Sequence, residues 1–124
     1  MKKLLLALPL TALLTACGSD SVEDIAKNYC KAVTSMNWKE AEQYAYADPI
    51  RNRENMHKQD MGKYAQVFMN QNCTPTKVEG AEDSGSRTVY FGDSKLDHVA
   101  LQWDTEQEKF LVMYDGFKAD LKLY

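Results

Sequence analysis

The sequence predicts an α+β domain: about three N-terminal helices packed on an antiparallel sheet of about four strands. Three observations carry this. Apolar residues recur at helical spacing as far as about residue 72. From Thr74 the period shortens, and Pro75 and the Gly80, Asp83, Ser84, Gly85, Ser86 cluster punctuate short runs. Helix patterns and strand patterns are therefore segregated along the chain, which points to α+β.

The first helix is expected over about 21–36. Ser21 supplies a cap with Asp24 three residues on. Val22, Ile25, Ala26, Tyr29, Val33 and Met36 then form an apolar stripe beside Cys30. Asn37 and Glu40 repeat the capping signal for a short second helix with Trp38, Ala41, Tyr44 and Ala45 on its apolar side, ending near Ala47. Asp48-Pro49 reads as the cap and first residue of a third helix. In it, Arg51, Arg53 and Lys58 interleave with Glu54 and Asp60, the pattern of a solvated surface. Met61, Tyr64, Ala65 and Phe68 restore the stripe, and Gly62 marks a break that leaves one bent helix or two. Strands are expected at 76–81, 87–92, 96–103 and 109–114, and the short turns between them imply a meander. Residues 117–124 continue the sheet edge or form a tail.

Composition supports one small folded domain. The chain has 124 residues and net charge −3. Residues 1–16 are unlike the rest, with seven of the twelve leucines and no acid. Beyond them the net charge is −5, and Leu, Ile, Val and Phe make up about 17%, below the roughly 20% at which disorder becomes an option. All 2 Trp, 7 Tyr and 4 Phe lie in this part, so the core is expected to be aromatic, Met and Ala rather than aliphatic. Size excludes two domains, and the acidic balance disfavours nucleic acid as a partner.

Met1-Lys2-Lys3 followed by apolar Leu4 to Leu14 has the anatomy of a secretory signal, too short to span a bilayer. It ends Leu14-Thr15-Ala16-Cys17, which resembles the lipobox of bacterial lipoproteins. That resemblance implies a signal peptide over 1–16, acylation of Cys17 and a lipidated tether over 17–20. Anchoring through two or more acyl chains is stable where one is marginal. Gly18, rather than Asp, after the cysteine implies export to an outer membrane. The alternatives are an ordinary signal-peptidase site and a short uncleaved anchor.

With Cys17 lipidated, Cys30 and Cys73 remain. An exported compartment allows them to pair, closing a loop of about 43 residues; two free buried thiols are the alternative. No C-x-x-C redox spacing or recognised zinc-ligand spacing is present, so no metal and no cofactor is expected.

The Asn37-Trp38-Lys39-Glu40-Ala41 helix, Asp48-Pro49 and the closing meander with Asp104 to Val112 resemble small NTF2-like, cystatin-related lipoproteins of unknown function. The resemblance covers 21–124. It implies a curved sheet wrapped around a long helix, with a cone-shaped cavity. Enzymes of that fold place Asp, His or Tyr inside the cone. His57, His98, Asp48, Asp60, Asp97 and Asp115 are the candidates here, and both histidines read as exposed on polar surfaces. No nucleophile elbow, phosphate loop or paired-carboxylate spacing is present. A binding pocket built from Tyr44, Tyr64, Tyr90, Trp103 and Tyr114 is the better expectation, since each ring can bury while presenting a polar atom. Those rings could equally fill a core short of leucine.

The functional expectation is thus an envelope lipoprotein that binds a small ligand or a protein without catalysis. A homodimer through the open sheet face is one version. An enzyme using the cone cavity, and a surface lipoprotein for toxin immunity or phage exclusion, are the alternatives.

Overall fold

The computed structural model describes residues 20–117. The lipobox, with Cys17, and residues 118–124 lie outside the described residues. Among the described residues the order is four helices and then four strands, an α+β chain.

Helix α1 (Val22–Thr34) begins where Ser21 Oγ accepts the Asp24 N–H at 3.1 Å. Glu23 and Asp24 in its first turn and Lys31 in its last complement the helix dipole. Its buried stripe is Ile25, Ala26, Tyr29, Cys30, Ala32 and Val33. Helix α2 (Trp38–Ala41) is capped by Asn37 Oδ1, which accepts the Glu40 N–H at 3.2 Å. It is a single turn, shorter than expected. The chain then straightens: the Val112 N–H bonds Tyr44 O and the Tyr46 N–H bonds Val112 O, each at 2.9 Å. Tyr44–Tyr46 thus lies parallel to the last strand at an Ala45–Val112 bridge.

The expected third helix is two. Helix α3 (Ala47–Gln59) has Tyr46 at its cap position, so Asp48 and Pro49 fall inside its first turn rather than at its cap and first position. Proline is tolerated there because the first-turn N–H groups have no intrahelical partner. The break before α4 (Met61–Phe68) lies at Asp60 and not at Gly62. Asp60 is extended (φ −159°, ψ 91°), and its carboxylate caps α4 by accepting the Lys63 N–H at 3.0 Å.

Strands β1 (Pro75–Glu79), β2 (Ser86–Phe91), β3 (Leu96–Asp104) and β4 (Lys109–Phe117) pair antiparallel in the order β1-β2-β3-β4, as a meander. The β3–β4 turn is tied by Asp104 Oδ1, which accepts the Glu106 and Gln107 N–H groups. The Gln107 backbone bond leads in holding the Asp104 carboxyl below its usual range. Glu108 closes the turn in the left-handed region (φ 54°).

Helix α1 packs against all four strands. Its stripe meets Val89, Phe91, Leu96, Val99, Leu101 and Val112 to form the main core. Tyr64 and Phe68 of α4 form a second buried group with Trp38 and Phe117. The Cys30–Cys73 disulfide, with a Cα–Cα separation of 5.7 Å, ties α1 to the segment entering β1.

Strand β4 runs three residues beyond its expected end and carries an irregularity. Ala100 faces Tyr114 and Leu101 faces Val112, leaving Met113 as an extra residue. Such a bulge breaks side-chain alternation. It lets Leu111 and Val112 both be buried while Met113 and Tyr114 are both exposed.

Gly116 stands opposite His98 in the register, and a Cβ there would run into the imidazole ring. Gly116→Ala is expected to cost about 1–3 kcal/mol through overpacking. Thermal unfolding checks this. A second change, His98→Ala, should recover most of the loss, and no loss in the single variant would rule out the steric reading.

Candidate functional site

An open cleft of about 520 Å³ sits where the start of α1, the turn after α2 and the β3–β4 hairpin meet. Its apolar wall is Ile25, Tyr44, Trp103 and Phe110. Trp103 and Phe110 are register partners, and their rings meet edge to face, with centroids 5.3 Å apart at 76°. Edge-to-face geometry suits the ring quadrupoles and holds both rings in place. Tyr44 is fixed from the other side by its backbone bond to β4 and by its hydroxyl, which donates to Glu40 Oε1 at 3.1 Å. Burial, followed by this Glu40 bond, raises the Tyr44 pKa.

The polar part of the cleft is Asp20, Glu42, Gln43, Gln107, Glu108 and Lys109. Lys109 Nζ donates to the Gln43 carbonyl at 3.2 Å. This bond joins the two lips of the cleft.

A second constellation lies inside the fold. Asp115 of β4 is 6% exposed and Tyr29 of α1 is 0% exposed. The Tyr29 hydroxyl donates to Asp115 Oδ2 at 2.7 Å. Arg53 of α3 places Nε 3.3 Å from the same oxygen. Its guanidinium lies over the Phe117 ring, 4.3 Å from the centroid. An Nη donates to Met56 Sδ at 3.4 Å, while the buried Nε makes no hydrogen bond. The pair is therefore held by charge more than by aligned donors. Burial outweighs Arg53 and Tyr29 and raises the Asp115 pKa. Burial first, then the Asp115 charge, push the Tyr29 hydroxyl well above the ordinary phenol value, so it stays protonated as the donor. Tyr64, buried nearby, donates to the Val33 carbonyl at 2.7 Å.

The outer face of the sheet carries a third group. His98 lies between Tyr90 and Tyr114, with centroids 5.7 Å and 6.0 Å away. His98 Nδ1 meets Asp97 Oδ2 at 2.9 Å. The Tyr90 hydroxyl donates to Glu79, and Lys77 sits over the Tyr90 ring.

The five expected pocket residues are thus divided. Tyr44 and Trp103 line the cleft. Tyr64 is core, with 1% exposure. Tyr90 and Tyr114 lie on the outer face, and Tyr114 is 57% exposed. The acid–base candidates scatter too. Asp48 forms an exposed pair with Arg51, and Asp60 is a helix cap. Asp97 holds His98. His57 is half-buried against Trp38 and Tyr64 instead of exposed, and His98 is half-buried too. Only Asp115 enters a buried polar network.

Arg53 corrects the sequence reading most. It is 8% exposed, not part of a solvated face. A signal was present: Ile50, Arg53 and His57 fall at helical spacing on one face, and all three turn inward or half inward. Phe110, Glu42 and Glu108 were not anticipated in the cleft. No local pattern marks them, because the cleft brings residues 42–44 together with residues 103–110 from a distant part of the chain. No group of His, Cys, Asp and Glu suited to a metal occurs among the described residues, and no described helix is long and apolar enough to cross a membrane. Searches against protein-family models, curated proteins and solved structures find no match for this chain.

Proposed function

We propose that this chain is an exported lipoprotein anchored through acylated Cys17, with an NTF2-like helix-on-sheet domain that binds a small ligand in the cleft without catalysis. The observation that carries the binding role is the cleft's makeup. It is an open, aromatic-walled space of about 520 Å³ with charged lips, within the size range of roughly 300–1,000 Å³ of small-molecule sites.

Two further features support the reading. The Cys30–Cys73 disulfide suits an oxidising compartment outside the cytoplasm. Asp20 lines the cleft three residues after Cys17, at most about 11 Å of extended chain away. The anchor therefore sets the cleft close to the membrane surface, here proposed to be an outer membrane. A homodimer through the sheet is less well supported, since Lys77, Glu79 and His98 cross that face.

A catalytic reading would rest on Asp115. A general base must reach its substrate, and Asp115 is enclosed with Tyr29 and Arg53 and takes no part in lining the cleft. Its role in this proposal is structural.

Cys17→Ala is expected to move the protein from the membrane fraction to the soluble fraction and to abolish acyl labelling. Unchanged membrane partition overturns the anchor. For the cleft, NMR screening of a small-molecule library should give shifts clustered at Tyr44, Trp103 and Gln107. Clustering at Asp115 or His98 instead would overturn the non-catalytic assignment.

A further inference from the structure

We infer that the cleft is built for an organic cation, a protonated amine or a quaternary ammonium group. This deepens the ligand-binding reading above and rests on it. Three aromatic side chains, Tyr44, Trp103 and Phe110, line one space with the carboxylates of Asp20, Glu42 and Glu108. Among the described residues Lys109 is the one cation lining the cleft, and its Nζ is held by the Gln43 carbonyl at 3.2 Å.

Each part has a separate physical consequence. Aromatic faces are the negative side of the ring quadrupole and attract a cation placed over them. Trp103 is 41% exposed, so part of its surface is open to a ligand. The carboxylates add a long-range attraction for positive charge and disfavour an anion in the same space. A neutral apolar ligand would gain from the rings but nothing from the acids. For an anionic ligand, the Lys109 amine is already hydrogen-bonded to the Gln43 carbonyl, and the Arg87 guanidinium is taken up by backbone carbonyls. The combination therefore selects for charge sign as well as for shape.

Arg87 shows the same chemistry on one of these rings, from outside the residues that line the cleft. Its guanidinium lies 5.1 Å from the Phe110 ring centroid. It is held in place by the carbonyls of Glu82, Ser84 and Ser86, at 2.6–2.8 Å. Phe110 thus already carries one cation from the protein itself.

The same cation could be free in solution or presented as a phospholipid headgroup, since the anchor holds the cleft near a membrane. The test uses the lipidated protein in dodecyl maltoside, whose headgroup is neutral. Choline and its uncharged carbon isostere, 3,3-dimethyl-1-butanol, are titrated while the Trp103 indole N–H and the amides of residues 42–44 and 107–110 are followed by NMR. Choline is expected to bind at least about tenfold more tightly than the isostere, the scale of a partly desolvated cation–π contact with added charge attraction. Glu42→Gln and Glu108→Gln, both at exposed positions, should each weaken choline by about threefold, from the loss of one nearby charge in a solvent-screened site, and leave the isostere unchanged. Phosphatidylcholine vesicles that shift the same signals at lower headgroup concentration would identify the source as lipid, and their failure would identify it as a free cation. Equal binding of choline and isostere would overturn the cation inference while keeping a ligand cleft. No shift at the cleft with either probe, nor with any member of the small-molecule library, would overturn both.

Discussion

Arg53→Met is expected to destabilise the domain by about 3–5 kcal/mol at neutral pH, the usual consequence of leaving one partner of a buried ion pair uncompensated. The Arg53 and Asp115 side chains are 10% and 2% exposed and lie 3.3 Å apart, so water screens the pair little. The methionine keeps most of the volume beside Phe117 and isolates the effect of charge. The companion Arg53→Met/Asp115→Asn should recover most of the loss, because the amide still accepts from the Tyr29 hydroxyl and no buried charge remains. Urea denaturation measures both variants. Equal stability of the single and double variants would show that the pair contributes through packing alone.

The pH dependence has a definite sign. Burial raises the folded-state pKa of Asp115 above its unfolded value, against the opposing pull of Arg53 and Tyr29. The folded state therefore holds this proton to higher pH than the unfolded state does. The contribution is complete below the unfolded carboxylate value and is lost as pH rises through the folded pKa. Removing Arg53 takes away a lowering influence, so the folded pKa climbs further. The Arg53→Met deficit should accordingly shrink on acidification from neutral pH, and a deficit that grows on acidification would contradict this assignment.

Cys30→Ala/Cys73→Ala is expected to cost about 4 kcal/mol, the entropy of leaving a loop of about 43 residues open in the unfolded chain. For a domain of this size, whose total stability is of order 5–15 kcal/mol, that is a large share. The bridge links α1, which touches every strand, to the entry of β1, so its loss acts on the whole core. Reduction of the wild-type protein should give the same fall in the urea midpoint. A difference under about 1 kcal/mol would mean that the unfolded chain is already compact around these residues. Mass mapping without reductant should recover the two cysteines in one linked peptide pair.

Much of the architecture was legible because its signals are local. Ser21 with Asp24 and Asn37 with Glu40 mark helix starts through bonds three residues apart. The turn clusters around Gly80–Ser86 and Asp104–Glu108 separate strands whose pairing in a meander is then nearly forced. The break between α3 and α4 was harder, because glycine is the stronger sequence signal. Asp60 instead stops one helix with an extended backbone and caps the next with its side chain. The expected end of β4 was short because the apolar residues stop at Tyr114, and the burial of Asp115 and Gly116 depends on residues far away in the chain.

Local signals specified a small acidic α+β chain with two cysteines able to pair, and the lipobox-like Leu14-Thr15-Ala16-Cys17 carries the proposed acylation. Capping, periodicity and parity act over a few residues and need no knowledge of the fold. Tertiary structure alone decided that Arg53 turns inward to Asp115, that Met113 is extra in β4, and that Tyr44, Trp103 and Phe110 share one cleft while Tyr64 does not. Those outcomes depend on which distant side chains meet. A buried charge is tolerated only where another element supplies its partner, and a cleft exists only where two lips far apart in the chain come together.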